Sequence, residues 1–265
     1  MSSHGEQIIL TGGSSEIGTA ILRRLKASGT ARVITTSNTK PITVSDSKWC
    51  LLRGVDLTQD AHLAQLRREV ENLFTGPFSI IHSVGQFWEH KPLDRTPLSE
   101  AREMMLSHYF TLFGLAHSLL PLAAKRGGAR IVAFSCNSVA YNYPEMAAFT
   151  SAKAAVESLV KCIANEWSKD GIVANALALP TIRTDAVLGL KPNGDHQNYI
   201  TPDELAEVVL NVVHGASQYM NGNVIKLVKH SPTFYHEAYF SRNPPYPANI
   251  STREVLSKPD AGDEP

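Results

Sequence analysis

The chain has 265 residues, 43% of them hydrophobic and 19% charged, a composition typical of a folded domain with a sizeable core. Its 25 basic and 25 acidic residues leave no formal net charge, which argues against a nucleic-acid-binding surface and a polybasic membrane patch. The three cysteines are far apart and form no C-x-x-C pair, so we expect neither a disulfide framework nor a metal site. There is no signal-peptide pattern and no apolar run near 18 residues, so we expect a cytoplasmic protein without a membrane partner.

Short apolar runs alternate with amphipathic segments along most of the chain. The apolar runs predict strands near Gln7–Leu10, Arg32–Thr36, Trp49–Val55, Ser79–Ser83, Arg130–Phe134, Ile172–Leu177 and Asn223–Val228. The amphipathic segments predict helices near Ile17–Ala27, Ala61–Phe74, Ser99–Ala124, Ala147–Ser168 and Pro202–His214. Strands separated by helices imply right-handed βαβ units. The sequence therefore predicts an α/β, Rossmann-like, doubly wound parallel sheet of about seven strands between two helical layers.

The last third of the chain carries three further signals. Thr201, with Glu204 three residues on, predicts a capping box at the start of the last helix. The twenty residues 181–200 show little periodicity and predict a long loop of the kind that often forms a lid. We expect residues 1–230 to form one domain. Residues 231–265, with six prolines and several aromatic residues, should form a C-terminal extension whose end is disordered.

A glycine-rich turn, Thr11-Gly12-Gly13-Ser14-Ser15-Glu16-Ile17-Gly18, joins the first strand to the first helix. Such glycines permit a tight turn and bring a pyrophosphate close to the helix N-terminus, where free N–H groups favour anions. The turn resembles the T-G-x-x-x-G-x-G turn of the short-chain dehydrogenase/reductase family. Thr11, Gly12 and Gly18 match, while Glu16 stands in place of the middle glycine.

The resemblance extends over roughly residues 6–230. Asp56-Leu57 is similar to the adenine-contacting segment of the family, and His82-Ser83-Val84-Gly85 takes the place of N-N-A-G. Asn175, Pro180 and Thr184 resemble the N-x-x-x-x-P-G-x-x-T segment. The cofactor-binding residues that this resemblance implies are Thr11, Gly12, Ser14, Ser15, Ile17, Gly18, Ser37, Asn38, Asp56, Leu57, Ser83, Gly85, Lys153, Pro180 and Thr184.

The implied cofactor is NADP or NAD. The second strand ends in Thr36-Ser37-Asn38, without the acidic residue that binds the ribose diol of NAD and without an arginine to grip the 2′-phosphate of NADP. The absence of the acid favours NADP, and both cofactors stay open.

The segment from Phe149 to Lys153 has the spacing of the family's Tyr-x-x-x-Lys signature, with phenylalanine in place of the proton-donating tyrosine. The same resemblance puts His108 at the position of a helix asparagine and Cys136 at that of the catalytic serine. Of the four family residues, Lys153 alone is retained. The candidate catalytic residues are therefore Lys153, His108, Cys136, Ser138 and Tyr143, with Phe149 at the usual tyrosine position. A neutral imidazole at His108 would act as acid or base near pH 7, whereas His82 is expected to be a structural hydrogen-bond partner.

Three functions fit these residues. The first is an enzyme of altered redox or non-redox chemistry, acting on a small apolar or aromatic substrate. The second is a catalytically inactive NAD(P)-binding partner subunit or sensor. The third is an ordinary carbonyl reductase with a displaced proton donor. The resemblance also implies a homo-oligomer, dimer or tetramer, or a hetero-oligomer with an active family member, built on the helices near 99–124 and 147–168.

Overall fold

A seven-stranded parallel sheet forms the centre of the described part of the molecule. The computed structural model describes residues 6–29, 31–86, 90–190, 192–193, 196–215 and 219–229. The strands are β1 (Gln7–Thr11), β2 (Arg32–Ser37), β3 (Cys50–Arg53), β4 (Phe78–His82), β5 (Ala129–Cys136), β6 (Ile172–Leu179) and β7 (Val224–Lys226). Their order across the sheet is β3-β2-β1-β4-β5-β6-β7. The predicted fold class is confirmed.

Helices cover both faces of the sheet. They are α1 (Glu16–Ser28), α2 (Asp60–Leu73), α3 (Leu98–Met105), α4 (Thr111–Lys125), α5 (Ser138–Tyr141), α6 (Ala147–Trp167), α7 (Asp185–Leu190) and α8 (Pro202–Gly215). A π-helical turn occupies Leu106–Phe110, and 3₁₀ turns occupy Leu93–Arg95, Ser168–Asp170 and His196–Asn198. No helix in these described ranges is both long and apolar enough to cross a bilayer.

The two faces of the sheet bury two separate apolar layers, because side chains alternate along each strand. Ile9 of β1 packs in the layer formed with α2, α4 and α6. Its neighbours Ile8 and Leu10 pack in the other layer, with α1 and α8. The helix that follows β1 therefore lies on one face of the sheet, and the helices that follow β4 lie on the other face. The carboxyl ends of these adjacent strands form the switch point at which doubly wound sheets bind ligands.

Two predicted elements were wrong. The helix predicted over Ser99–Ala124 is interrupted, because the π-helical turn separates α3 from α4. The segment Thr181–Ile200 contains the helix α7 and a 3₁₀ turn. Thr184 starts α7 by accepting hydrogen bonds from the N–H groups of Val187 and Leu188, and the buried Val187 anchors it. Short capped helices of this kind lack the periodicity that reveals longer ones.

The capping box at the start of α8 is confirmed. The Thr201 hydroxyl accepts a hydrogen bond from the Glu204 N–H at 3.2 Å, and the Glu204 carboxylate accepts one from the Thr201 N–H at 2.7 Å.

The chain divides into a unit spanning Met1–Leu227 and a second spanning Val228–Pro265. The predicted extension 231–265 lies outside the described residues, so its boundary at residue 230 and its disorder stay predictions.

His82 ties the end of β4 to β1 and to the start of α4. With the Thr111 hydroxyl proton donated to the carbonyl oxygen of Ser107 at 2.9 Å, the hydroxyl oxygen accepts from Nε2–H of His82, 3.2 Å away. The neutral ring then accepts at Nδ1 from the Thr11 hydroxyl at 2.9 Å. Burial, and next the charge of Lys153, lower the pKa of His82 from 6.5 to about 3.

Replacing His82 with asparagine should flatten the pH dependence of stability. Below pH 6.5 the unfolded His82 binds a proton, whereas the native ring stays neutral down to about pH 3, so stability is lost as the pH falls through that window. Between pH 6 and pH 4 the wild type should lose about 1.4 kcal/mol more per pH unit than His82→Asn. Urea unfolding of both proteins at several pH values measures this difference. Equal slopes of the unfolding free energy against pH in the two proteins would contradict a neutral native His82.

Candidate active site at the carboxyl edge of the sheet

The glycine-rich turn closes tightly over the end of β1. The N–H groups of Gly12 and Gly13 donate to the Thr36 carbonyl oxygen at 3.1 and 2.9 Å. Ser15 caps α1, since its hydroxyl accepts from the Gly18 N–H and donates to the Gly12 carbonyl, both at 2.9 Å. A Cβ at Gly18 would lie 2.2 Å from the Gly12 carbonyl oxygen, so a side chain there would open the turn. The α1 N-terminus is thus presented to an anion.

The other predicted cofactor residues lie along the same edge of the sheet. Thr11 ends β1 and Ser37 ends β2, followed by the exposed Asn38. Asp56 and the buried Leu57 follow β3, and the Asp56 carboxylate accepts hydrogen bonds from the Thr58 N–H at 2.9 Å and the Thr58 hydroxyl at 2.7 Å. The bond from the Thr58 N–H is the main cause that lowers the pKa of Asp56. The remaining residues of the set are the half-buried Ser14 and Ile17 in the turn and first helix, Ser83 and Gly85 after β4, and Pro180 and Thr184 after β6.

Phe149 and Lys153 lie on the first turns of α6, four residues apart and therefore on one face of the helix. The Lys153 side chain is buried, and its Nζ donates to the Phe134 carbonyl oxygen on β5 at 2.9 Å. Nζ lies 5.6 Å from the centre of the Phe149 ring. Burial lowers the pKa of Lys153 from 10.5 to about 8, although Cys136 acts in the opposite direction. The amine therefore exchanges its proton close to neutral pH.

His108 lies on the π-helical turn and meets the Phe149 ring edge-on, with the ring centres 5.4 Å apart. Its Nε2 is 3.1 Å from the Gln86 carbonyl oxygen, which only accepts, so Nε2 carries the proton. A Cβ at Gly85 would lie 2.2 Å from Nδ1 of the same ring. Burial, and next the charge of Lys153, lower the pKa of His108 from 6.5 to about 2. Desolvation therefore keeps the ring neutral near pH 7, and its role as acid or base stays a prediction.

The loop after β5 brings up the other predicted catalytic residues. The half-buried Cys136 accepts from the Ser138 N–H at its Sγ, 3.5 Å away, and Ser138 is fully buried at the start of α5. Tyr143 stacks on Tyr141 with the ring centres 5.5 Å apart. The Tyr141 hydroxyl accepts a hydrogen bond from the Lys226 amine on β7.

Several buried polar atoms in the described ranges have no hydrogen-bond partner, and most of them belong to the last residues of a strand or to the loop that follows it. They are Thr35 Oγ1, Ser37 Oγ, His108 Nδ1, Asn137 Oδ1, Ser138 Oγ and Thr150 Oγ1. Buried polar groups are ordinarily paired, and unpaired ones concentrated in one region indicate a place for a polar ligand. The described ranges hold no cluster of histidine, cysteine or carboxylate side chains that would bind a metal ion.

Sequence reasoning missed several of these contacts. The partners of Lys153 and His108 are the main-chain oxygens of Phe134 and Gln86, and a carbonyl group leaves no signal in the residue type. Asn137 and Thr150 join the unpaired atoms, and Asn137 anchors its loop by donating to the Leu227 carbonyl oxygen at 3.0 Å. The polar residue types of Asn137 and Thr150, next to the predicted catalytic residues, were the signal that could have indicated them.

A family model described as enoyl-(acyl carrier protein) reductase matches residues 12–227. The chain therefore belongs to the short-chain dehydrogenase/reductase family. It is 25% identical over 217 residues to a fatty acyl-CoA reductase of Acinetobacter baylyi, covering 78% of this chain and 72% of that protein. It is 26% identical over 246 residues to a tropinone reductase homolog of Arabidopsis thaliana, covering 84% and 90%. The structure of a tyrosine-to-phenylalanine variant of ElxO with NADPH bound has the same fold, with a TM-score of 0.75 at 17% identity over 84% of this chain and 96% of that one.

Proposed function

We propose that the protein is an oxidoreductase of altered chemistry that binds NADPH or NADH along the Gly12–Gly18 turn. Its substrate would be a small apolar or aromatic carbonyl compound. The observation that carries this proposal is the set of unpaired polar atoms at the carboxyl edge of the sheet, together with the α1 N-terminus that directly follows the glycine-rich turn. The ElxO variant binds NADPH although a tyrosine has been replaced by phenylalanine. This supports cofactor binding by a family member whose own signature carries Phe149.

Lys153 is the group best placed to supply the proton for carbonyl reduction. His108 has its single N–H engaged with the Gln86 oxygen and stays neutral. The Phe149 ring has no proton to give. The Lys153 amine lies beside that ring, and its pKa of about 8 is close to working pH, which is where general acid catalysis is most effective.

The residues divide the reaction as follows. A bound NADPH would supply the hydride to the carbonyl carbon. The Lys153 ammonium group would give one proton to the carbonyl oxygen, which becomes the hydroxyl of the product, and would recover that proton from solvent. The Cys136 thiol, free of any disulfide, lies within electrostatic range of Lys153 and would orient the carbonyl oxygen.

Calorimetry with NADPH and NADH, followed by kinetics over a panel of ketones and aldehydes, tests the proposal. We expect saturable NADPH binding and a slow reduction of at least one activated carbonyl. Lys153→Met should lower kcat by about 10²-fold or more at saturating NADPH, as expected on loss of a general acid. Lys161→Arg, at an exposed position on the same helix, is the control. No heat and no thermal shift at millimolar cofactor would reject cofactor binding, and an unchanged kcat in Lys153→Met would reject the proton donor.

Restoring the phenol should raise the reductase activity. In Phe149→Tyr, Lys153 lies four residues away and would lower the pKa of the new hydroxyl. We expect a gain of about 10²–10⁴-fold, which corresponds to roughly 3–5 kcal/mol of barrier. The triple variant with Cys136→Ser and His108→Asn should exceed the single one, because it restores the other two family positions. A triple variant that binds NADPH yet reduces no carbonyl would show that the cleft is not arranged for hydride transfer.

A second candidate is a catalytically inactive NAD(P)-binding partner subunit or sensor. The observation that favours it is the neutral, enclosed His108 next to Phe149, since neither group can exchange a proton with a substrate. This function would be supported if the purified chain bound the cofactor without turnover and showed activity only in a complex with another family member. Non-redox chemistry, and a carbonyl reductase that uses Tyr143 as displaced donor, stay as further alternatives. The cytoplasmic location also stays a prediction.

We propose further that the protein assembles through the helices α3 to α4 and α6. The outward face of α4 and the π-helical turn exposes three large apolar side chains, Leu106, Phe110 and Phe113, at 45–46% of their surface. Helical spacing puts them on one stripe, and α6 exposes the small Ala147 and Ala154. Such a patch on a monomer marks an interaction site. Light scattering should give a dimer or tetramer at micromolar protein, and Phe110→Glu with Phe113→Glu should dissociate it. A monomeric wild type would contradict this assembly.

A further inference from the structure

The Glu16 carboxylate is hydrogen-bonded to the segment that follows β6. Both carboxylate oxygens accept from the Asp185 N–H, at 2.9 and 3.1 Å. Glu16 opens α1 directly after the glycine-rich turn, whereas Asp185 opens α7, which follows β6. The bond therefore joins segments that leave β1 and β6, and these strands have β4 and β5 between them. At the ordinary strand spacing the two strands are about 14 Å apart, so the bond reaches across a substantial part of the sheet edge.

The segment that carries Asp185 is held at its base as well. Ile182 and Ile200 pair as a short parallel bridge, both are buried in the layer with α1 and α8, and the Arg183 N–H donates to the Ile200 carbonyl oxygen at 2.8 Å. The Glu16 bond thus holds the outer part of a segment whose base is fixed by apolar packing. The side chain of Glu16 is exposed, so this bond can break without leaving a buried charge.

The position of the Glu16 carboxylate conflicts with that of a dinucleotide. The pyrophosphate of a cofactor bound at a glycine-rich turn lies at the N-terminus of the following helix. Glu16 is the first residue of that helix and carries a negative charge, and its interaction with the helix dipole stabilises the free protein. A pyrophosphate would meet a like charge there.

We propose that Glu16 is a built-in competitor for the cofactor pyrophosphate. In the free protein its carboxylate latches Asp185 and holds residues 181–190 over the glycine-rich turn. Dinucleotide binding displaces the carboxylate towards solvent and frees that segment, so that cofactor affinity is lowered and entry is coupled to movement of the segment. This inference rests on the proposed binding of NAD(P)H at the same turn.

Two substitutions separate the charge of Glu16 from its hydrogen bond. Glu16→Ala removes both, and Glu16→Gln removes the charge while keeping an oxygen that accepts from the Asp185 N–H. The control is Glu207→Gln, which removes an equally charged, exposed carboxylate that pairs with Arg24 of α1 at 3.0 Å, away from the turn. NADPH affinity is measured by calorimetry. Hydrogen exchange of a peptide spanning 181–190 in the cofactor-free proteins shows whether the Glu16–Asp185 bond restrains that segment.

Glu16→Ala should bind NADPH about tenfold more tightly than the wild type, since a like-charge contact near a protein surface costs on that order. Its 181–190 peptide should exchange faster. Glu16→Gln should show an intermediate affinity with exchange close to that of the wild type, and Glu207→Gln should change neither. Equal NADPH affinity in the wild type and Glu16→Ala, or unchanged exchange in Glu16→Ala, would overturn the latch alone. Binding by none of the proteins would reject the proposed cofactor site and the latch with it.

Discussion

The buried amine of Lys153 is the constraint on which the rest of the site depends. An ammonium group removed from water is costly unless it is paired, and within the described ranges its hydrogen-bond partner is the main-chain carbonyl of Phe134. The side chain is held by this bond, lies beside the Phe149 ring and keeps its proton less firmly than an ordinary lysine. A family member with tyrosine at position 149 would place a phenol beside this amine. Here the Phe149 ring takes the place of that phenol.

The same charge sets the state of the two histidines. Lys153 adds to burial in lowering the pKa values of both His82 and His108. Each ring is consequently a neutral structural group: His82 joins β1, β4 and α4, while His108 fills the space between Gly85 and Phe149. Among the described residues of the site, the Lys153 amine thus lies near two neutral imidazole rings.

Much of this architecture could be predicted from the sequence, because local residue patterns determine it. Strand and helix periodicity gave the sheet, and the turn from Thr11 to Gly18 gave the first βαβ unit and its anion-binding end. The spacing of Phe149 and Lys153 on one helix face placed both in the same cleft with His108, as the ring contact shows.

What could not be predicted depends on contacts distant in sequence. The π-helical turn that presents His108, and the desolvation that keeps its ring neutral, arise only once α3, α4 and α6 are packed together. The Glu16–Asp185 bond joins residues 169 positions apart, and no local pattern encodes it. Sequence did mark Glu16 as unusual, since it replaces a glycine, but the partner of its carboxylate needed the fold.

The most direct measurement of the central claim is the titration of Lys153 itself. Protein labelled with ¹³C-lysine gives a carbon–proton signal for each side-chain Cε, and comparison with Lys153→Met assigns the one that belongs to Lys153. The account predicts a midpoint near pH 8 for that signal, below the ordinary lysine value of 10.5. A midpoint at the ordinary value of 10.5 would show that burial does not lower the pKa of this amine, and would contradict the account.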